Sequence, residues 1–336
     1  YHTDKPRKNA LVRFFEILFL TIKNLELPQF YNAYGLDLKA NKKNLFAFIP
    51  AHVFKKQLKR VNSLYHDGSE RLLLLNPTVF KDFYSDFPIL KYLGIIKKGE
   101  IFINRKLIPK HQFLATIGKD VRLDSLYLDP PNTYFFAHRD EKHEKLISSD
   151  HLSFSDVIMN NSFVIYEKNK LASLIQKIHP TGALEINVIT LRDGDDIKAI
   201  KTYLIVSLEE APKRIAFIDN ALYVNIKEKG ELDEYGYTHP SSMNLKFLKQ
   251  PLSGITFSEI KIPNFKKIVE IAINAHHRLP TLNVIKWSFT IFEKEITLLR
   301  GTPRFDVAEL QMNTDGQRQF WTNYYKRTKN AKKELI

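Results

Sequence analysis

Apolar positions recur along this chain with two periods, one typical of helices and one typical of strands. Helical spacing covers residues 1–30 and 51–65, and it is most regular at 264–279, a segment bounded by two prolines. Proline favours both ends of that segment as helix limits. Asn76 followed by Pro77 predicts a further helix start, because Asn is a good N-cap and Pro suits the first helical position.

Runs rich in β-branched and aromatic residues predict the strands. One hairpin is predicted at 97–108, around Asn104 and Arg105, and another joins 287–292 to 296–299 through a charged turn. Because helices and strands mix without strict alternation, the pattern favours an α+β fold with a mixed sheet that includes the second hairpin. The remaining strands are predicted at 132–138, 162–167, 183–191, 197–208 and 214–226.

The composition sets limits on the chemistry. The 336 residues are 44% hydrophobic and 26% charged, an ordinary globular balance, and the chain has no cysteine. The absence of cysteine excludes disulfides and thiolate catalysis. It also fits a reducing compartment, so we expect a cytoplasmic location, with a membrane-peripheral location as the alternative.

Positive charge is concentrated at the two ends of the chain. Residues 1–60 contain 12 Lys and Arg against 4 Asp and Glu, and residues 316–336 contain 6 against 1, so the ends hold nearly all of the net charge of +14. Basic ends favour an anionic partner: a membrane surface, an acidic glycan or a nucleic acid. Nucleic acid is the weakest of the three, since the sequence has no zinc finger, RNP-like motif or basic heptad region.

The segment at 11–22 is the one stretch that suggests contact with a membrane. It is shorter than the roughly 20 apolar residues that a spanning helix needs, and it contains Arg13 and Glu16. We predict an amphipathic helix that packs into the core, and an interfacial helix is the alternative.

From about residue 160 onward, the order of landmarks resembles the sugar-transfer-associated ATP-grasp family. FVIYEKNKLASLIQKIHP (163–180) is similar to the family's strand, hinge glutamate and following helix, and INVITLRDGD (186–195) is similar to the strand of its NT-R-x-x-T signature. AFIDNALYVNI (216–226) is similar to its VDN…GG segment. IKWSFTIFEKEITLLRGTPR (285–304) is similar to its GWD…E-x-N hairpin.

The resemblance implies an ATP-grasp-like fold in which two α+β subdomains clamp ATP. The implied chemistry activates a carboxylate as an acyl phosphate, which an amine then attacks, and the implied setting is surface-glycan assembly. On this basis we predict a helical N-terminal region at 1–75, a first subdomain at 76–165, a second subdomain at 166–321 and a basic tail at 322–336.

Positions that the family uses for Mg²⁺ and phosphate hold other residues here. The family's Asp after the Trp, and its Glu and Asn on the return strand, correspond to Ser288, Arg300 and Thr302. A divalent cation is strongly repelled by an Arg beside it. Residues 134–147, which match the Gly-rich phosphate loop, contain no glycine, and the signature Arg corresponds to Asn187. We therefore expect no metal site and no cofactor, with ATP and Mg²⁺ as the alternative.

Other candidate binding positions keep a family residue or a charge. Asp219 and Asn220 stand at the family's Asp-Asn pair, and Glu167 stands at the hinge that meets adenine. Arg139 is a cation in the altered phosphate loop and is able to meet an anion. The alternatives are an Asx turn for the pair and an exposed strand-end acid for Glu167.

Arg300 has two interpretations. The guanidinium either replaces Mg²⁺ and holds an anion, or it pairs with a local acid such as Asp219 or Glu293 and closes the pocket.

His276 and His277 are expected to end a helix, where the helix dipole favours a charged histidine.

We interpret the chain as a degenerate ATP-grasp-like protein, a non-catalytic or divergent component of surface polysaccharide biosynthesis. It is expected to bind an acidic glycan, a nucleotide-like anion or a partner enzyme of glycan assembly, and no catalytic residue is assigned. One alternative is an active ATP-dependent carboxylate-amine ligase whose metal is held by Asp219, Asp306 or Glu309. The other is a basic protein that binds a membrane surface or nucleic acid.

Overall fold

The computed structural model of the chain shows an α+β protein with an N-terminal helix and two seven-stranded sheets. The described residues are 6–28, 31–32, 34–39, 44–62, 70, 73–74, 76–109, 112–113, 120–125, 134–140, 145–148, 162–167, 170–209, 220–242, 245–293 and 295–334.

Helices predicted from the sequence are found at 10–24, 51–61, 77–83 and 265–277, whereas those at 307–311 and 318–334 were not predicted. The Asn76 side chain accepts hydrogen bonds from the N–H groups of Thr78 and Val79, which confirms the predicted N-cap. The predicted helix at 264–279 is confirmed with slightly tighter limits. The helices are α1 Ala10–Asn24, α2 Ala51–Val61, α3 Pro77–Phe83, α4 Ser173–Ile178, α5 Phe265–His277, α6 Val307–Gln311 and α7 Arg318–Glu334.

The first sheet is built from β1 Tyr92–Lys97, β2 Glu100–Ile103, β3 Lys106–Ile108, β4 Asp120–Ser125, β5 Tyr134–Asp140, β6 Lys145–Ser148 and β7 Ser162–Glu167. Its strand order is β3-β2-β1-β7-β4-β5-β6. The hairpin predicted at 97–108 is confirmed. Ile103 pairs with Lys106, and the two turn residues Asn104 and Arg105 have φ of 50° and 65°, the positive values that a tight hairpin turn requires.

The second sheet is built from β8 Leu184–Asp193, β9 Asp196–Ser207, β10 Ala221–Asn225, β11 Gly236–Thr238, β12 Lys246–Phe247, β13 Val284–Phe292 and β14 Glu295–Thr302. Its order is β12-β11-β10-β9-β8-β13-β14. The predicted set of strands is therefore confirmed, although the predicted mixed sheet is wrong because the pairs between its described strands are antiparallel. Of the strand predicted at 214–226, residues 214–219 lie outside the described residues.

Helix α5 covers one face of the second sheet. Alternate side chains of the central strands, such as Val188 on β8 and Trp287 on β13, pack with Ile268 and Ala272 of α5 in one buried cluster. Phe80 of α3 belongs to the same cluster, so α3 packs on the second sheet although it precedes the first. The predicted subdomain limits remain a prediction.

Helices α2, α6 and α7 cover part of the opposite face. Their buried side chains form a second cluster with Ile189, Tyr203 and Val284 of the sheet. Successive residues of a strand point to opposite faces, so Asn187, Lys286 and Ser288 also lie on this side of the sheet.

Helix α1 does not pack as predicted. Leu20 is its one buried side chain, whereas most of its large apolar side chains are exposed to solvent, so the prediction of a core helix is wrong. Within the described part of the chain, no helix combines the length and hydropathy needed to cross a membrane.

Candidate functional site

The register of the β13–β14 hairpin brings the three altered metal positions together. Ser288 lies directly opposite Arg300, and Lys286 lies opposite Thr302. The register shifts by one residue between Ser288 and Phe289, so the ladder is irregular next to Arg300. The alignment inferred from the sequence therefore corresponds to neighbours in space.

Ser288 is held by the neighbouring strand and not by an acid. Its hydroxyl donates to Asn187 Oδ1 on β8 at 2.8 Å, and the Asn187 amide donates to the Glu185 carbonyl at 3.3 Å. Ser288 and Asn187 are both fully buried. Two neutral side chains thus satisfy each other where the family places an Asp and an Arg.

Arg300 forms an ion pair with Glu185. Its Nη2 donates to the two carboxylate oxygens at 2.9 and 2.7 Å. Glu185 is buried, and the Arg300 side chain is 14% exposed, so the pair is largely removed from water. The sequence suggested Asp219 or Glu293 as partners of Arg300. In the structure Arg300 pairs with Glu185, an acid two strands away, and Asp219 lies outside the described residues.

A second buried ion pair lies beside the first. Lys286 Nζ is 2.6 Å from Glu309 Oε2, which also accepts a hydrogen bond from the Tyr203 hydroxyl. The other oxygen of Glu309 accepts from the Asp306 backbone N–H at 2.9 Å, and Asp306 caps the N-terminus of α6. Asp306 and Glu309, two of the three acids that the ligase alternative names as possible metal ligands, thus form the capping box of α6.

Thr302, the third altered position of the hairpin, bonds the backbone of Arg304. Its hydroxyl donates to the Arg304 carbonyl at 2.9 Å and accepts from the Arg304 N–H at 3.3 Å. Thr290, two residues beyond Ser288 on the same face, has a buried hydroxyl with no hydrogen-bond partner among the described residues.

Glu167 and Asn220 have partners outside this hairpin. Glu167 ends β7, and its carboxylate pairs with Lys91 at 2.7 Å while remaining substantially exposed. The Asn220 amide donates to Glu209 Oε1 at 2.6 Å. The backbone of Arg139 lies in β5, and Asp219 lies outside the described residues.

The face of β13 that packs on α5 contains a separate hydrogen-bond chain. The Trp287 indole N–H donates to the Thr190 hydroxyl at 2.9 Å, and that hydroxyl lies 2.7 Å from His276 Nδ1. His276 Nε2 lies 2.9 Å from the Leu282 carbonyl, which accepts only if Nε2 holds the proton. The Thr190 hydroxyl then donates to Nδ1, so every group in the chain has a partner when His276 is neutral.

The pKa of His276 is lowered to about 4, chiefly by burial. The hydrogen bond to the Leu282 carbonyl raises this pKa, whereas the positive charges of nearby Arg192 and His277 lower it. The predicted helix end at His276 and His277 is confirmed. Because burial lowers its pKa, His276 is neutral at pH 7, so it offers the helix dipole no charge to stabilise. Burial at the helix end outweighs the dipole here.

The hairpin positions do not suit Mg²⁺. Mg²⁺ prefers oxygen ligands, and usually one or two of them are carboxylates. Ser288 and Thr302 offer neutral hydroxyls, Arg300 offers no lone pair, and the nearby Glu185 already neutralises Arg300. In the part of the chain that the structure describes, no three His, Asp or Glu side chains form a metal-ligating group.

The sequence identified Ser288, Arg300 and Thr302 as altered positions, but it did not identify Glu185 as the acid that neutralises Arg300. Glu185 and Lys286 each interrupt an otherwise apolar, β-branched run, ALEINVITL and NVIKWSFTI. A charged residue in such a buried run indicates a buried ion pair, because an unpaired charge there is too costly. This signal was available, although it does not identify the partner.

Solved structures similar to this chain include a synthetase and two ligases. N5-carboxyaminoimidazole ribonucleotide synthetase from Thermotoga maritima is 12% identical with a TM-score of 0.39, covering 74% of this chain and 48% of the enzyme. The chain thus spans about half the length of that enzyme. D-alanine–D-alanine ligase from Bacillus anthracis is 8% identical with a TM-score of 0.40, covering 79% of this chain and 70% of the ligase.

A third similar structure is phosphoribosylamine–glycine ligase from Thermotoga maritima, which is 11% identical with a TM-score of 0.41, covering 77% of this chain and 56% of the ligase. A search of curated proteins gives no match. The family model of sugar-transfer associated ATP-grasp proteins matches residues 137–324, a segment that includes all of the second sheet and the altered hairpin. Since this match covers more than half of the sequence, the chain belongs to the sugar-transfer associated ATP-grasp family.

Proposed function

We propose that this protein is a divergent ATP-grasp protein that serves surface polysaccharide biosynthesis by binding and not by Mg²⁺-dependent ligation. The observation that supports this most directly is the ion pair between Arg300 and Glu185 at the hairpin. It puts a permanent cation where the family has a metal-binding Glu, and it occupies the nearest acid.

The electrostatics of this face argue against acyl phosphate formation. That reaction needs a divalent cation to neutralise charge that develops on the transferred phosphoryl group. Here the described cations Arg300 and Lys286 are already paired with Glu185 and Glu309. A Mg²⁺ ion placed at the hairpin would meet a guanidinium at close range in a poorly solvated site, where repulsion is strong.

The ligand that we propose is an acidic glycan or a nucleotide-like anion. The family description associates these proteins with sugar transfer. Arg300 and Lys286 on this face each keep 14% of their side chain exposed, which supports contact with an anionic ligand. A partner enzyme of glycan assembly would supply the chemistry that this site lacks.

The test is a pair of calorimetric titrations of ATP, one with Mg²⁺ and one with EDTA, combined with an assay of ATP hydrolysis. We expect the two titrations to give the same result and hydrolysis to stay far below the roughly 1–100 s⁻¹ of kinases. A titration with an oligosaccharide of uronic acids, with no metal present, tests the proposed ligand. A lower affinity in the double variant, which combines Glu185→Gln with Arg300→Met, locates the ligand at the face of the hairpin that carries Ser288 and Arg300.

The opposite result would support an active ligase with a non-standard metal site. In that case ATP binding requires Mg²⁺, turnover reaches ordinary ligase rates, and Asp306→Asn abolishes it. Because Asp306 caps α6, the inactive Asp306→Asn variant must also be shown to remain folded. Far-UV circular dichroism of the variant checks this.

A further inference from the structure

Helix α1 turns its apolar side away from the protein. The exposed large side chains within the helix are between 42% and 67% accessible. They belong to Leu11, Val12, Phe14, Phe15, Leu18, Phe19 and Ile22. At 100° per residue they occupy one continuous arc, and the exposed Leu25 and Leu27 extend this apolar face beyond the helix. A contiguous apolar patch of this kind marks an interaction site.

The polar side chains of α1 hold the helix against the body. Glu16 accepts from Lys8 Nζ at 2.8 Å and from the Tyr31 hydroxyl. The Asn24 side chain accepts from Arg318 of α7 at 2.9 Å, and Lys23 Nζ lies 3.6 Å from the centre of the Phe46 ring. The usual arrangement of an amphipathic helix is therefore largely reversed, since Glu16 and Asn24 contact the body of the protein while the apolar face meets water.

Basic helices lie beside α1. α7 packs on α2, and the short 3₁₀ segment Leu45–Ala47 contacts both α1 and α7. α2 contains no acid, and α7 contains one, Glu334. The exposed cations of the two helices are Lys55, Lys56, Lys59, Arg60, Lys326, Arg327 and Lys329. Glu16, the one acid of α1, is paired with Lys8, and Arg327 is paired with Asp193. Cations still outnumber acids on these helices.

We propose that α1 docks the protein in the plane of an anionic lipid bilayer. The apolar face of α1 enters the boundary between headgroups and acyl chains, and the cations of α2 and α7 add attraction to anionic headgroups. A second copy of the chain fits the face less well, because pairing two copies through α1 brings their basic helices towards each other. This inference does not depend on the proposed function.

The experiment is flotation of the purified protein with two kinds of vesicle, phosphatidylcholine alone and phosphatidylcholine mixed with phosphatidylglycerol. We expect binding to the mixed vesicles that weakens as salt rises, since exposed charges are screened within about 8 Å at physiological ionic strength. Phe15→Glu and Ile22→Glu are expected to lower the partition coefficient at least about tenfold each, because each puts a charge where an apolar side chain enters the membrane.

Leu107→Glu is the matched control. Leu107 on β3 is 60% exposed, close to the 62% of Phe15, but it lies in the first sheet. Binding that is lost equally in all three variants, or retained in Phe15→Glu and Ile22→Glu, overturns the proposal. The proposal is also overturned if the protein does not bind vesicles and sedimentation shows a dimer that Phe15→Glu dissociates. The apolar face of α1 would then join two copies of the chain.

Discussion

Arg300 on β14 reaches across the central strand β13 to Glu185 on β8, and one guanidinium nitrogen donates to the two carboxylate oxygens. Between them, Ser288 of β13 is opposite both Arg300 and Asn187, and its hydroxyl bonds the Asn187 amide oxygen. The hairpin positions that align with the family's metal ligands thus take part in one ion pair and one neutral hydrogen bond. The charge of Arg300 is balanced by Glu185.

Arg300→Met is expected to destabilise the protein by roughly 3–5 kcal/mol, because it leaves the buried Glu185 carboxylate uncompensated. The measurement is urea unfolding at neutral pH. Glu185→Gln is expected to be destabilising for the corresponding reason. The double variant should be more stable than the sum of the two single effects implies, because it leaves neither charge unpaired. Additive losses would show that the pair does not contribute as a unit.

Arg300→Glu is expected to create a weak site for Mg²⁺. The substitution puts a second carboxylate against Glu185, and two like charges at this distance repel each other. The variant should therefore be less stable than Arg300→Gln in EDTA and should gain stability as Mg²⁺ is added, by about 2.7 kcal/mol at a hundredfold excess over Kd. Thermal unfolding with and without Mg²⁺ measures this. An equal Mg²⁺ effect on Arg300→Gln or the wild type would contradict it.

The sequence did not predict β11 and β12, which have only three and two residues. It was sufficient to predict the other five strands of the second sheet because their apolar runs are longer and bounded by turn residues. It also located Ser288, Arg300 and Thr302 as neighbours, since the two arms of a hairpin face each other at a register that the turn limits to within a residue. These conclusions depend on contacts that are local along the chain.

The sequence did not identify the partners across the sheet. Glu185 lies more than a hundred residues from Arg300, and the strand order that joins them depends on the packing of the whole sheet. The exposure of α1 was also missed. Its pattern is amphipathic whether the apolar side faces the core or the solvent, so periodicity alone does not decide which side is covered.

The stability of the protein is expected to depend on His276 in mild acid. Its pKa in the folded protein is about 4, below its ordinary value of 6.5. Between these values the unfolded chain binds more protons, so stability falls as pH drops from about 6.5 to 4 and this contribution is fully present above that window. The loss is roughly 3 kcal/mol.

The measurement is urea unfolding at several pH values for the wild type and for His276→Gln. Carboxylates also titrate in this range, so the difference between the two proteins isolates the histidine. The variant should lose less stability between neutral pH and pH 4 than the wild type. A ring proton of His276 that titrates near its ordinary pKa in the folded state, observed by NMR, would contradict the prediction.

Thr190→Val is expected to cost more than Thr190→Ser, although valine keeps the shape of threonine and serine loses its methyl group. The Thr190 hydroxyl accepts from Trp287 and donates to His276, so valine leaves one buried donor and one buried acceptor without partners. Each unsatisfied group costs about 1–3 kcal/mol. Serine keeps both bonds and loses one buried methyl group, worth about 1 kcal/mol. Urea unfolding of the two variants at pH 7 compares them directly. If Thr190→Ser proves the less stable variant, packing of the methyl group holds β8 against α5, and the hydrogen-bond chain from Trp287 to His276 contributes little.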